Sequence, residues 1–130
     1  MASYNSIQIV GNTGGEPEMR FTPDGKCITS FTVAVNDGRL VDGEWKDSVE
    51  WFRVVSFGKL AERLNERLTK GEPVLCVGKL KLNRWTDNNG EKRVTLEVLA
   101  NRVVSFSKSK KEKFEGVADE GDINPEEIPF

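Results

Sequence analysis

Between Val49 and Lys59 the chain alternates aromatic rings with a cation along a segment typical of a β-strand. Successive side chains of a strand point to opposite faces, so Trp51, Arg53 and Phe57 share one face. At about 3.3 Å per residue the two rings stand roughly 20 Å apart, which suits several stacked bases better than one small ligand. We therefore interpret this face as a candidate surface for planar bases. A strand buried on both sides is the alternative, and the charge of Arg53 counts against it.

A second aromatic residue is predicted to stand among cations. If the strand that starts at Val74 extends beyond Asn83, alternation puts Lys79, Lys81 and Trp85 on one side. Cations beside stacking rings could contact phosphates and add affinity by releasing counterions. The candidates for such contacts are Arg53, Lys59, Lys79, Lys81, Arg84, Lys92 and Arg93. For any single one of them, ordinary solvated surface is an equally good interpretation.

The residue types argue against an enzyme and against a metal site. The chain has no His, which removes the usual general base and every Ser/His or Cys/His arrangement. Cys27 and Cys76 stand alone and cannot complete a four-ligand zinc site, so we expect reduced thiols packed as small apolar groups. The Gly-Lys-Leu sequences at Gly58 and Gly78 lack the glycine spacing and the Ser/Thr of a phosphate-binding loop. We expect no catalysis, no cofactor and no metal.

The formal net charge of −2 hides a strong division along the chain. From Glu112 to Phe130 there are seven acids and one base, a net charge of −6, so residues 1–111 carry +4. A basic body suits a phosphate-rich partner, whereas the acidic end has no apolar period with which to fold. We predict one domain over residues 1–107 and a flexible acidic tail over residues 108–130.

The rest of the chain is predicted to be mainly β-structure that supports the Trp51 strand. Apolar alternation and turn-rich clusters indicate four further strands. These are Asn5–Asn12, Cys27–Val35, Val74–Asn83 and a last long strand from Val94 to near Phe106. Leu60, Leu64 and Leu68 indicate a helix that plugs one end of the sheet and ends at Lys70-Gly71. Two Asp-Gly pairs between Asn36 and Trp45 indicate a long hairpin loop with a mobile tip.

This order of elements predicts the fold class. Five strands with one helix after the third strand are typical of the OB-fold, a partly open barrel that binds oligonucleotides or oligosaccharides on one face. We therefore predict an all-β OB-fold barrel with one helix and a disordered acidic C-terminal tail. No apolar run approaches the roughly 20 residues of a membrane span, and the first residues lack the regions of a signal peptide. We expect a cytosolic protein with no membrane partner.

Four motifs occur in a characteristic order. They are Ile9-Val10-Gly11-Asn12, Glu16-Pro17-Glu18-Met19-Arg20, the run from Glu50 to Glu62, and Arg84-Trp85-Thr86-Asp87. The chain closes on Ile128-Pro129-Phe130 behind Glu126-Glu127. Together these motifs resemble the bacterial single-stranded DNA-binding protein family, over roughly residues 4–107 and the acidic tip. The motifs are specific when they are found together and less so singly.

The resemblance implies a function and a set of residues. It implies unspecific binding to single-stranded DNA, with Trp51, Phe57 and Trp85 matching the base-stacking aromatics of the family. The cations expected beside them are Arg53, Lys59, Lys79, Lys81 and Arg84. The tip matches the peptide that docks replication, recombination and repair proteins, and it comprises Asp122, Glu126, Glu127, Ile128, Pro129 and Phe130. A homotetramer in the bacterial cytoplasm, associated with the nucleoid, is also implied.

The chain departs from the family pattern in two places. A loop aromatic that many members carry falls at about Arg39-Leu40 here, and the replacement of that contact by Trp45 is left open. The tail is also short, which fits a compact or phage-encoded member.

Two other classes of function remain open from the residues alone. A module of the same fold could bind single-stranded RNA or an oligosaccharide, but nothing here recognises a 2′-hydroxyl and a sugar would not require the cations. A scaffold protein would instead bury Trp51 and Phe57 in a contact between subunits.

Overall fold

The computed structural model describes residues 2–106 and the backbone of residues 115–117. These residues form mainly β-structure, with one helix between the sixth and seventh strands. The strands are β1 (Ile7–Thr13), β2 (Glu18–Phe21), β3 (Cys27–Asn36), β4 (Arg39–Val41), β5 (Glu44–Lys46), β6 (Val49–Phe57), β7 (Pro73–Thr86), β8 (Lys92–Ser105) and β9 (Glu115–Val117). The helix is α1 (Gly58–Arg67).

Five of these strands close a barrel. The strands of the main sheet follow the order β1-β7-β8-β6-β3-β2, and β1 also pairs with β3, which returns the sheet to its start. Among the described strands, β6 and β8 pair in parallel over three residues each, whereas the other pairs are antiparallel. Helix α1 follows β6, which is the third barrel strand along the chain. The predicted OB-fold with one helix after the third strand is therefore confirmed.

Apolar side chains from the barrel strands fill the interior. The fully buried valines of this interior cluster are Val33, Val54, Val74, Val98 and Val103. Branched side chains suit a pleated and half-buried surface, so these residues form strands and pack between them. Helix α1 packs on this interior cluster, in which its Leu60 and Leu64 are fully buried.

Helix α1 starts directly at the end of β6. Gly58 has a φ of +66°, in the left-handed region that glycine adopts without steric cost, so the strand turns into the helix without a loop. Leu60, Ala61 and Leu64 are its buried residues, as the four-residue spacing predicts. The helix ends at Arg67, slightly before the predicted stop at Lys70-Gly71.

A buried polar cluster ties the turn after α1 to two strands. The Glu72 carboxylate accepts hydrogen bonds from the Ser105 hydroxyl at 2.5 Å and from the Thr69 N–H at 3.1 Å. The Thr13 hydroxyl donates to the Thr69 carbonyl at 2.5 Å and accepts from the Glu72 N–H at 2.9 Å. These bonds join the ends of β1 and β8 to the turn after α1.

The loop between β3 and β6 contains structure that the sequence did not predict. Its strands β4 and β5 form a small hairpin, and the turn between them uses Asp42 at φ +52° and Gly43 at φ +80°. This Asp-Gly pair has the positive φ angles of a two-residue hairpin turn. The other Asp-Gly pair, at Asp37-Gly38, precedes β4 instead.

The structure describes three residues of the predicted flexible tail. Residues 115–117 form β9, which pairs antiparallel with Arg102–Val104 of β8. Strand β6 pairs with β8 only as far as Leu99, so the next stretch of that strand offers unpaired backbone groups to β9. Backbone pairing of this kind does not need a periodic pattern of apolar residues. The composition of the tail therefore did not indicate strand β9. The remaining residues of the tail lie outside the described part of the chain.

Both cysteines are buried free thiols, as the sequence predicts. Burial raises the pKa of the Cys76 thiol to about 12, and burial also raises the pKa of the Cys27 thiol. A thiol with a raised pKa is a poor nucleophile at neutral pH. The two side chains therefore act as packing groups.

Candidate nucleic-acid interface

The face predicted from the Trp51 strand lies on the outside of the barrel. We call it the outer face, the side of β6, β8 and β7 from which Trp51, Arg53, Glu97, Lys81 and Trp85 project. Pairing register places one row across four strands, with Thr32 beside Arg53, Arg53 beside Glu97, and Glu97 beside Lys81. Paired residues project from the same side of a sheet, so these groups meet on one surface.

The indole of Trp51 is held on the outer face with much of its surface open. Its ring packs against Gly14, in the loop after β1, and lies near the Thr32 hydroxyl. A Cβ at position 14 would overlap the ring, so glycine is needed there for the indole to approach the backbone. Trp51 remains 55% exposed, which leaves apolar ring surface for a ligand.

Phe57 projects from the same side of β6 as Trp51 but is not open to solvent. Only 5% of its surface is exposed, and it packs with Ile28, Val55 and Leu99 in a second apolar cluster. The prediction that Trp51 and Phe57 form two exposed rings is therefore wrong for Phe57. Alternation determines the side on which a ring lies, but it does not determine what covers the ring.

A buried carboxylate holds Arg53. The Arg53 Nη1 donates to Glu97 Oε1 at 3.3 Å, and the same oxygen accepts from Asn83 Nδ2 at 3.0 Å. The side chain of Glu97 is 0% exposed and that of Arg53 is 33% exposed. The second oxygen, Glu97 Oε2, has no hydrogen-bond partner among the described residues. The charge of Arg53 is therefore balanced by the neighbouring carboxylate of Glu97.

The hairpin between β7 and β8 presents a second indole. Strand β7 extends to Thr86, which confirms that Lys79, Lys81 and Trp85 share one side. Trp85 is 47% exposed, and its Nε1 donates to the Thr95 hydroxyl at 2.9 Å. It borders a cavity of about 440 Å³ that is also lined by Arg84. Alternation puts Arg84 on the opposite side of β7, so it reaches this cavity from the other side of the strand.

Asp87 builds the turn of this hairpin. Its carboxylate accepts from Arg93 Nε and from the N–H groups of Asn89 and Glu91, each at 2.9 Å. The Arg93 guanidinium and these N–H groups hold the pKa of the Asp87 carboxyl below its usual range. Arg93 also lies 3.3 Å from the Glu91 carboxylate. Arg93, a predicted phosphate contact, is thus already paired with the carboxylates of Asp87 and Glu91.

The other predicted cations differ in position and in exposure. Lys79 is exposed and Lys81 is half-buried on β7, and Lys59 is exposed in the first turn of α1. Trp45, which the sequence left open, lies in the β4–β5 hairpin and is 61% exposed. Its ring packs against Gly38, and its Nε1 donates to Asp47 Oδ1 at 2.7 Å. The structure therefore places Trp45 on a separate hairpin and not in the row of paired residues.

Comparison with known proteins identifies the family of the chain. A model of the single-strand binding protein family matches residues 4–106. The chain belongs to this family. It is 37% identical over 133 residues to single-stranded DNA-binding protein 1 of Xylella fastidiosa (strain 9a5c), covering 96% of this chain and 93% of that protein. The crystal structure of a small single-stranded DNA-binding protein from Streptomyces coelicolor matches with a TM-score of 0.67 and 26% identity, over 77% of this chain and 92% of that one.

Membership of the single-strand binding protein family confirms the resemblance found in the motifs. Because this is a family of DNA-binding proteins and not of enzymes, it also confirms that the chain is not an enzyme. Within residues 2–106 and 115–117, no three His, Cys, Asp or Glu side chains gather as metal ligands. No helix in that part of the chain is long and apolar enough to cross a membrane. The predicted C-terminal tip, residues 122–130, lies outside the described residues.

We expect Phe57 and Trp51 to differ in what they contribute to stability. Replacing Phe57 by Ala empties a buried position, which should lower the free energy of unfolding by about 3 kcal/mol or more. Replacing Trp51 by Ala removes a half-exposed ring and should cost less than about 1 kcal/mol. Urea denaturation of both variants and the wild type measures the two values. An equal loss in both variants would contradict the difference in burial.

Proposed function

We propose that this member of the single-strand binding protein family binds single-stranded DNA without sequence specificity and protects it. The observation that carries the proposal is the outer face, where the half-exposed indoles of Trp51 and Trp85 lie on one sheet surface among cations. The two similar proteins are each named as single-stranded DNA-binding proteins, which supports the same ligand.

Stacking on aromatic rings explains the preference for unpaired strands. Each base stacked on an aromatic side chain contributes about 1–3 kcal/mol, and any base can stack because every base has a flat π-face. A duplex hides these faces between its own base pairs, so it cannot use the rings. This mechanism is general to proteins that bind single strands unspecifically.

Phosphate contacts supply the second part of the binding energy. We assign them to Lys79 and Lys81, which project from the same side of β7 as Trp85, to Arg84, which lines the cavity beside Trp85, and to Lys59 in the first turn of α1. Each contact releases counterions and makes the affinity depend on salt. We assign Phe57 a supporting role, because its ring is covered by its own cluster and holds the end of β6.

Fluorescence titration tests this assignment. Oligo-dT should quench the tryptophan emission, and an equal length of duplex should bind much more weakly. Replacing Trp51 or Trp85 by Ala should each weaken binding of oligo-dT by about 1–3 kcal/mol, because each ring stacks a base. Phe21→Ala is the matched control, since Phe21 is 62% exposed but projects from the opposite side of the sheet.

Three outcomes would overturn the proposal. Equal affinity for duplex would remove the role of exposed base faces. Tighter binding of oligo-U than of oligo-dT would favour an RNA-binding module. Absence of quenching, together with loss of self-association in the Trp51 variant, would favour a scaffold that buries this ring between subunits.

We also propose that the C-terminal tip recruits replication, recombination and repair proteins. Asp122, Glu126 and Glu127 supply charge attraction to a basic rim, and Ile128-Pro129-Phe130 supplies an apolar anchor. Residues 112–130 carry a net charge of −6, so they should also compete with DNA for the basic groups of the barrel at low salt.

Two tail variants separate these roles. Deleting residues 122–130 should keep or strengthen single-strand binding at low salt, and it should abolish recovery of repair and replication proteins from a bacterial lysate. Replacing Ile128 and Phe130 by Ala keeps the charge, so it should lose the partners without any gain in DNA affinity. Unchanged recovery of partners by both variants would contradict the proposed docking role.

We propose that the chain forms a homotetramer in the bacterial cytoplasm, the compartment that contains the single-stranded DNA it binds. The family resemblance and the modest core of one barrel support this assembly. Sedimentation at micromolar concentration should show a species of about four times 14.6 kDa. A species of 14.6 kDa alone would contradict the proposal.

A further inference from the structure

A polar cavity of about 490 Å³ lies beside the start of the chain, and Tyr4, Ser6, Lys79 and Asn101 are among the residues that line it. Lys79 projects from the same side of β7 as Trp85, so the cavity borders the outer face. Lys79 precedes Trp85 by six residues, or roughly 20 Å of extended strand. The cavity is therefore separate from the surface around Trp85.

The segment before β1 is held against β7 by one side chain. The Asn5 Nδ2 donates to the Leu80 carbonyl at 2.7 Å, and the Asn5 Oδ1 accepts from the Leu80 N–H at 3.1 Å. Because Ile7 pairs with Gly78, these two bonds continue the register of the β1–β7 pair by two residues beyond the end of β1. Tyr4, the next residue toward the N-terminus, is therefore positioned beside β7 although it belongs to no strand.

The ring of Tyr4 is available to a ligand. Its side chain lines the cavity and is 92% exposed, so it contributes almost nothing to the apolar interior. An exposed aromatic ring accepts any base by stacking, because every base has a flat π-face. Anchoring through Asn5 reduces the conformational entropy that such a contact would cost.

The polar groups beside Tyr4 suit a phosphate. A register shift next to Gly78 leaves Asn101 without a paired residue on β7, and its amide lines the cavity together with the ammonium group of Lys79. The Ser6 hydroxyl is a further donor. Among the described residues, none that lines the cavity is acidic. A phosphate would therefore meet several donors and one positive charge.

We propose that this cavity binds one nucleotide of the single strand, with the base stacked on Tyr4 and the phosphate beside Lys79. The inference rests on the proposed function, and it adds a third ring to Trp51 and Trp85. The site increases the length of strand that one barrel contacts. It adds affinity without a sequence preference, because stacking does not distinguish the bases.

The chain contains one tyrosine, so a label in the tyrosine ring reports on this site alone. The full chain is labelled with ¹³C in that ring and titrated with oligo-dT of about 16 nucleotides, the upper end of the site size of one OB-fold. The ring protons of Tyr4 should shift upfield, since a stacked base places them in its ring current. Duplex of equal length should leave them unchanged, because its base faces are covered.

Variants of Tyr4 measure the contribution of the ring. Tyr4→Ala should weaken binding of the same oligonucleotide roughly five- to 150-fold, which corresponds to about 1–3 kcal/mol for one stacked base. Tyr4→Phe keeps the ring and should retain the wild-type affinity. Because the side chain is exposed, both variants should unfold at the same urea concentration as the wild type.

Salt dependence tests the phosphate contact. Lys79→Gln should reduce the slope of log affinity against log salt by about 0.7, the value for one phosphate contact with a single strand. Tyr4→Ala should leave that slope unchanged. The matched control is Lys70→Gln, which makes the same charge change at an exposed lysine beyond the end of α1 and should also keep the slope.

The outcomes separate this inference from the proposed function. Tyr4 ring signals that stay unchanged at saturation, wild-type affinity in Tyr4→Ala, an equal loss in Tyr4→Phe and Tyr4→Ala, or equal slopes in Lys79→Gln and Lys70→Gln would overturn the nucleotide cavity. Quenching of the tryptophan emission by oligo-dT would persist in each of these cases. Failure of the wild type to bind oligo-dT would overturn the proposed function itself.

Discussion

The ion pair between Arg53 and Glu97 is the interaction on which the outer face depends. Strands β6 and β8 pair in parallel only over Arg53–Val55 and Glu97–Leu99, and the ion pair crosses this short junction. A fully buried carboxylate is costly unless it is paired and hydrogen-bonded, and removing one partner of such a pair costs about 3–5 kcal/mol. Asn83 of β7 donates to the same oxygen of Glu97. One buried carboxylate thus links side chains from the three strands of the outer face.

Both half-exposed indoles have contacts that favour one position on the sheet. Trp51 lies against the backbone at Gly14, and Trp85 is held through its Nε1 bond to Thr95. Side chains that are already ordered lose less conformational entropy when a ligand binds. The turn built on Asp87 holds the end of the hairpin near Trp85 in the same way. The stacking energy therefore contributes to affinity and is not offset by the cost of ordering the rings.

Periodicity in the sequence was enough to predict the barrel, the helix and the side of the sheet on which Trp51 and Trp85 lie. These features depend on the local alternation of apolar and polar residues. Three features depend on contacts between distant parts of the chain, and the sequence did not reveal them. They are the cover over Phe57, the pairing of β9 with β8, and the burial of Glu97. A lone carboxylate in the apolar stretch Val94–Ala100 was the one available sign that a cation would lie opposite.

The most direct test of the outer face uses the indole N–H signals of the three tryptophans in a ¹⁵N-labelled protein. A short single-stranded oligonucleotide is added while the three signals are followed by nuclear magnetic resonance. If the outer face binds the strand, the signals of Trp51 and Trp85 shift in proportion to the bound fraction, and both shifts disappear when duplex of equal length replaces the single strand. If only Trp45 shifts, or if Trp51 and Trp85 stay unchanged at saturation, the strand binds elsewhere and the account of the outer face is wrong.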